Sequence, residues 1–189
     1  MRTDRSLPDR IHVFGASGAG TTSLGELISH KYRHRHLDTD DFYWVPTDPP
    51  FREKRPPEER LRLLDLSMAE SEKWVLSGSL VGWGDPLSPL FELAVFLYVD
   101  PEVRLARLRA RELERYGADA IAAGRPLHKQ HRAFMEWAAA YDNGGLEVRS
   151  RTLHEGWMGR ISCPVVRVEA DRPTDALLKE LEERVANAA

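Results

Sequence analysis

One cysteine, Cys163, stands among 189 residues. No disulfide can close within the chain, and a lone thiol fits a reducing compartment. Nor does any apolar run reach the roughly 20 residues a membrane-spanning helix needs. Met1 to Arg10 are polar with alternating charges, where a signal peptide would carry an apolar centre. These absences point to a soluble, cytoplasmic protein with no membrane partner. An excess of positive charge is missing too: 27 Lys and Arg against 30 Asp and Glu give a formal net charge of −3. That excludes a surface built throughout for nucleic acid and leaves room for a local basic cleft. The histidines lack metal-ligand company. His128 and His131 stand three apart, and His30, His34 and His36 cluster, without cysteine or acid at ligand spacing. No repeat, low-complexity tract or linker divides the chain, so residues 1–189 read as a single domain of ordinary core size.

The absence that bears most on function is a single lysine. Gly15-Ala16-Ser17-Gly18-Ala19-Gly20-Thr21-Thr22 fits the phosphate-binding loop G-x-x-x-x-G-K-[ST] at every fixed position but one, and Thr21 stands where lysine belongs. An apolar strand at Ile11–Phe14 and a helix over Thr21–Lys31 flank the loop. Its glycines permit backbone angles a Cβ forbids, so the amides can turn inward as an anion nest beside the helix N-terminus. Thr22 supplies the hydroxyl that ligates Mg²⁺ in such loops. The missing charge is worth roughly 1.5–3 kcal/mol as a charge-assisted hydrogen bond, so triphosphate binding can survive its loss. Two other readings stay open. The glycines can serve only a tight strand-to-helix turn. Alternatively, a glycine turn with an acid about 20 residues on, here Asp38, is a dinucleotide-binding pattern, although the spacing is G-x-x-G-x-G.

Further strands are expected at His36–Leu37, Trp74–Leu76, Ala94–Val99 and Val165–Val168. Helices are expected at Pro57–Ser71, Pro101–Tyr116, Leu127–Tyr141, Leu146–Arg160 and Pro173–Asn187. Apolar strands alternating with amphipathic helices predict an α/β fold, a three-layer α/β/α sandwich around a parallel sheet of about five strands. Pro46 to Pro57 holds five of the twelve prolines and reads as an irregular excursion. Ligands of such sheets sit beyond the strand carboxyl ends. After the second strand come Asp38, Asp40 and Asp41, then Phe42, Tyr43 and Trp44. These acids suit a metal, an acceptor hydroxyl or its proton, or else Asp40 or Asp41 caps a helix. After the third strand, Ser77 stands where many phosphate-loop enzymes place an acid toward Mg²⁺, which leaves Asp38 as the metal-side carboxylate. Trp83, in the glycine-rich segment beyond, can wall an acceptor pocket. Arg104, Arg107, Arg111 and Arg115 recur at spacings of three, four and four and form one helical stripe, fit for phosphate or for simple solvation. Arg107 or Arg111 is the expected stand-in for the loop lysine. Phe134, Trp137, Ala138 and Tyr141 read as core.

With these residues placed, the chain resembles the small phosphate-loop kinases, the shikimate, adenylate and cytidylate kinases, over nearly its full length in element order. Asp38-Thr39-Asp40 looks like the D-x-D of shikimate kinases, which implies Asp38 near Mg²⁺ and Asp40 on a substrate hydroxyl. Ser77-Gly78-Ser79 occupies the place of their glycine triplet. The Asp41-Phe42-Tyr43 run is similar to uridine-kinase-type sequences, and the acid-aromatic segment resembles adenylate-kinase-related topology-modulation proteins. Gly18-x-Gly20-Thr21-Thr22 resembles the loop of archaeal-type cytidylate kinases, which carry threonine at the lysine position. The resemblance further implies a lid around 109–130 bearing Arg107 and Arg111 at its root, and an adenine-contacting turn at Val168 to Pro173 that includes Arg172.

The sequence therefore predicts a phosphotransferase that uses ATP and Mg²⁺ and acts on a small-molecule phosphate acceptor, a metabolite, nucleoside or nucleotide. A non-catalytic ATP-binding or sensing module is the alternative that Thr21 and Ser77 favour. A dinucleotide-binding oxidoreductase is the third.

Overall fold

The computed structural model describes residues 7–188. The polar start read above for the lack of a signal peptide lies, over residues 1–6, outside the described residues. Five parallel strands form the central sheet: β1 (Arg10–Gly15), β2 (Arg35–Asp38), β5 (Trp74–Ser77), β6 (Leu93–Tyr98) and β7 (Val165–Glu169), in the order β2-β5-β1-β6-β7. Side chains alternate across it, as a pleat requires. Ile11, Val13, Val75, Val95 and Leu97 pack on one face against α1 (Thr21–Tyr32) and α8 (Thr174–Ala188), through Leu24, Ile28, Leu177 and Leu181. Phe14, Leu76, Trp74 and Phe96 pack on the other against α3 (Pro57–Ala69) and α7 (Arg151–Met158), through Leu64, Met68 and Trp157. The α/β/α sandwich expected from the alternation is the fold observed.

The connection from β6 to β7 holds α4 (Pro101–Tyr116), α5 (Ala118–Ile121) and α6 (His128–Ala139) before α7. Asp100 caps α4 by accepting from the Glu102 amide at 2.9 Å, Pro101 opens it, and Gly117 ends it at φ 76°. Three expectations need correction. The helix expected from Leu146 starts only at Arg151, because the Ser150 hydroxyl accepts the Leu153 amide and caps it there. The proline-rich excursion contains a strand: β4 (Glu53–Lys54) pairs antiparallel with β3 (Trp44–Val45). Trp137, expected in the core, is exposed, whereas its neighbours Ala138 and Tyr141 are buried.

Two buried histidines tie the sheet to the loops above it. His12 stacks between Phe14 and Phe91, and its Nε2–H donates to the Gly78 carbonyl at 2.9 Å. Burial lowers its pKa to about 4 against the pull of that bond. His154 is bonded to the Ser79 hydroxyl at 2.8 Å and to the Tyr141 hydroxyl at 2.7 Å, and burial first, then Arg149 and His12, lower its pKa to about 3. Both are neutral at physiological pH, so they act as polar rivets.

Candidate active site

Register assembles the first part of the site. Asp38, the last residue of β2, pairs with Ser77, the last of β5, and Ser77 pairs with Val13 of the central strand. The Ser77 hydroxyl donates to Asp38 Oδ2 at 2.9 Å, and the Thr22 hydroxyl donates to the same oxygen at 2.8 Å. His36 Nε2 lies 2.9 Å from the Ser77 hydroxyl. Asp38 Oδ1 accepts the Asp40 amide at 3.0 Å, so Asp38 caps the short helix α2 (Thr39–Tyr43). The cap expected at Asp40 or Asp41 falls on Asp38. A hydroxyl and a carboxylate side by side fit Mg²⁺, which takes few protein ligands and completes its shell with phosphate and water.

The phosphate loop closes β1 and opens α1. Gly20 stands at the helix N-cap with φ 91°, without a side-chain cap and without an acid in the first turn, so the first amides are left to a ligand. Gly18 has φ 84°, and a Cβ there would lie 3.0 Å from the Arg104 carbonyl and from Leu108 Cγ. The loop is thus pressed against α4. Arg104, on the arginine stripe, is fully buried. Its Nη1 donates to the Ala138 carbonyl at 3.0 Å and the Ser17 carbonyl at 3.4 Å, and its Nη2 pairs with Asp142 at 2.7 Å.

Gly78 sets the acids in place from below. Its φ is +102°, and a Cβ would lie 1.9 Å from Thr39 Oγ1, between Asp38 and Asp40. Gly78→Ala is expected to lose about 1–3 kcal/mol of stability from backbone strain alone and to displace α2. Urea unfolding measures the loss; a variant as stable as the parent would mean that α2 shifts freely.

The remaining arginines divide. Arg107 Nη1 donates to the Ala170 carbonyl at 2.9 Å, which ties α4 to the turn after β7. Arg172, in that same turn, pairs with Glu180 of α8. Arg111 lies 5.9 Å over the Phe134 ring. Burial, then Arg115, lowers its pKa, while Glu112 and Asp40 oppose the shift. Asp40 is open to the cleft yet closely walled by protein: desolvation first, then Asp38, raises its pKa, while Arg149, Trp44 and Arg111 oppose. Thus Asp40, Arg111 and Arg149 share one field. Arg149 was not legible in the sequence. Its Nη2 donates to the Ser17 hydroxyl at 2.6 Å, and its guanidinium lies 4.8 Å over Trp137. Beside Asp40, Tyr43 and Trp83 stand 6.1 Å apart, and the Arg60 guanidinium stacks 3.8 Å over Tyr43. This gives the cleft an aromatic, cationic wall.

The YqaC protein of Bacillus subtilis (strain 168), described as uncharacterized, is 49% identical over 161 residues, covering 85% of this chain and 88% of that one. The cytidylate kinase of Archaeoglobus fulgidus is 30% identical over 116 residues, covering 54% of this chain and 62% of the kinase. The shikimate kinase structure from Bacteroides thetaiotaomicron superposes with a TM-score of 0.57 at 21% identity, covering 94% of this chain and 98% of that one, which speaks to fold alone. Among the described residues no helix is long and apolar enough to cross a membrane. The AAA_18 model, described as an AAA domain, matches residues 11–125, and by that match together with its relatives the chain belongs to this family, a small P-loop kinase-like group.

Proposed function

We propose that the protein is an ATP-dependent kinase of a small hydroxyl- or phosphate-bearing acceptor, in the metabolite, nucleoside or nucleotide class. The observation that carries the reading is the convergence of Thr22, Asp38 and Ser77 beside the uncapped start of α1, with Asp40 two residues beyond Asp38 in the field of Arg149 and Arg111. The loop amides of Gly15 to Thr22 receive the phosphates. Thr22 and Asp38 would hold Mg²⁺, which when bound shields the phosphate charge. Asp40 accepts the acceptor hydroxyl's proton as its oxygen attacks the γ-phosphorus. The bond from that phosphorus to the bridging oxygen breaks, and ADP leaves with the electron pair. Arg111 faces the developing charge, and Arg107 with the turn around Arg172 borders the place of the base. The segment around 109–130 acts as a lid. Such chemistry asks mainly for positioning and electrostatics.

A dinucleotide site would turn Asp38 toward a ribose, whereas here its Oδ2 accepts the Thr22 hydroxyl at the start of α1, on the phosphate side. A sensing module keeps the binding half of the reading and drops the transfer. Calorimetric titration with ATP, with and without Mg²⁺, is the first test; micromolar, Mg²⁺-dependent binding is expected. ADP release across a panel of acceptors follows. Release that requires an acceptor supports the kinase. Slow release indifferent to every acceptor supports the sensor, and no binding at all overturns both.

A further inference from the structure

We infer that Arg149 supplies to the triphosphate the positive charge that Thr21 withholds. The inference rests on the ATP reading above and goes beyond it, because neither the loop motif nor the family match over residues 11–125 reaches this residue. Of the arginines considered for the task, Arg107 is engaged with the Ala170 carbonyl and Arg111 leans over Phe134. Arg149 alone among these three touches the loop, with its Nη2 2.6 Å from the Ser17 hydroxyl.

Three features suit it to phosphate. Its Nε has no hydrogen-bond partner among the described residues although the atom is buried, so the planar five-donor fork keeps capacity for an anion. The nearby acid, Asp40, answers its charge through space. The Trp137 ring, 4.8 Å beneath, fixes the plane of the guanidinium and explains an exposed tryptophan beside the cleft.

The arginine is also pre-organised. On one side of it, Arg104 grips Ala138 and Asp142, and Tyr141 is bonded to His154. On the other, Ser150 caps α7 and donates to the Gly145 carbonyl at 2.6 Å. Segment 143–149 is therefore fastened at both ends, and the charge is in place before any lid closes. A loop lysine reaches the phosphates from the start of α1; here the cation comes from segment 143–149 and meets the loop at Ser17.

The test is calorimetric titration of the full chain with ATP and Mg²⁺ in four forms: parent, Arg149→Ala, Thr21→Lys, and the Thr21→Lys/Arg149→Ala double variant, each checked for a cooperative melt. Arg149→Ala is expected to weaken binding on the order of tenfold to a hundredfold, the range for a charge-assisted bond, and Thr21→Lys is expected to restore most of the loss. Restoration separates charge from structure, since a lysine at the start of α1 cannot mend a misfolded segment. If the parent binds and Arg149→Ala binds equally, the inference falls and the ATP reading stands. A weakened Arg149→Ala that Thr21→Lys fails to rescue also overturns it, assigning the arginine a packing role. A parent that ignores ATP overturns the reading, and the inference with it.

Discussion

Asp40→Asn is expected to cut turnover by roughly 10²–10⁴-fold, the usual contribution of a positioned general base, while leaving affinity for ATP with Mg²⁺ nearly unchanged. The substitution keeps shape and removes only the ability to take a proton. Among the described residues no hydrogen bond or ion pair joins the Asp40 side chain to the loop, and the Asp38 bond to its amide is retained in the variant. Its pKa is raised by desolvation and by Asp38, so the acid limb of the rate profile should lie above the ordinary carboxylate range, with activity rising as pH rises through it. The sign for stability is opposite. A raised carboxyl pKa means the fold disfavours the ionised form, so a penalty is present above that pKa and relieved below the unfolded value. Asp40→Asn removes this penalty at neutral pH and should leave the protein at least as stable as the parent. Lost turnover with retained stability and ATP affinity marks a chemical role; unchanged turnover removes Asp40 from the mechanism.

The legible parts of this molecule are those written in local pattern. Apolar strands such as Leu93–Tyr98 and the Asp100-Pro101 start of α4 declare themselves through burial and capping chemistry. The glycine turn at Gly15–Thr22 and the acids from Asp38 onward were legible because each directly follows an apolar strand of the sheet. Arg149 was not, since it sits in an irregular segment and gains meaning only when tertiary packing brings it to Ser17, far away in sequence. Ser77 was legible only as a departure from an acid; strand register makes it Asp38's hydrogen-bond donor. The arginine stripe was legible as a face, and its partners were not, for a related reason. Spacing puts Arg104, Arg107 and Arg111 on one face, but α4 lies against the loop at one end and against the turn after β7 along its middle. The three side chains therefore meet a half-buried carboxylate, a carbonyl and the Phe134 ring in turn. Periodicity gives a face and leaves open what that face meets.

Arg104→Ala is the substitution expected to cost the most stability, about 3–5 kcal/mol, the range for removing one partner of a buried pair. The guanidinium is fully buried, and its loss strands the Ala138 carbonyl and the Asp142 carboxylate together. Asp142 retains some access to water, which favours the lower end of the range. The double variant Arg104→Met/Asp142→Asn should be less destabilised than Arg104→Ala, because a neutral amide leaves no charge unpaired and methionine fills the channel beside Gly18. Urea unfolding of the two variants and the parent measures both differences. A loss below about 1 kcal/mol for Arg104→Ala, typical of an exposed pair, would show that the pair is not a strut. The functional consequence follows from the same bonds. Arg104 joins the Ser17 carbonyl to the end of α6, and segment 143–149, a few residues farther on, brings Arg149 to the Ser17 hydroxyl. Removing it loosens the loop and its cation at once, so Arg104→Ala should weaken binding of ATP with Mg²⁺ even at temperatures where the variant remains folded. The double variant, which keeps the channel filled without restoring the Ser17 bond, should recover stability more fully than affinity.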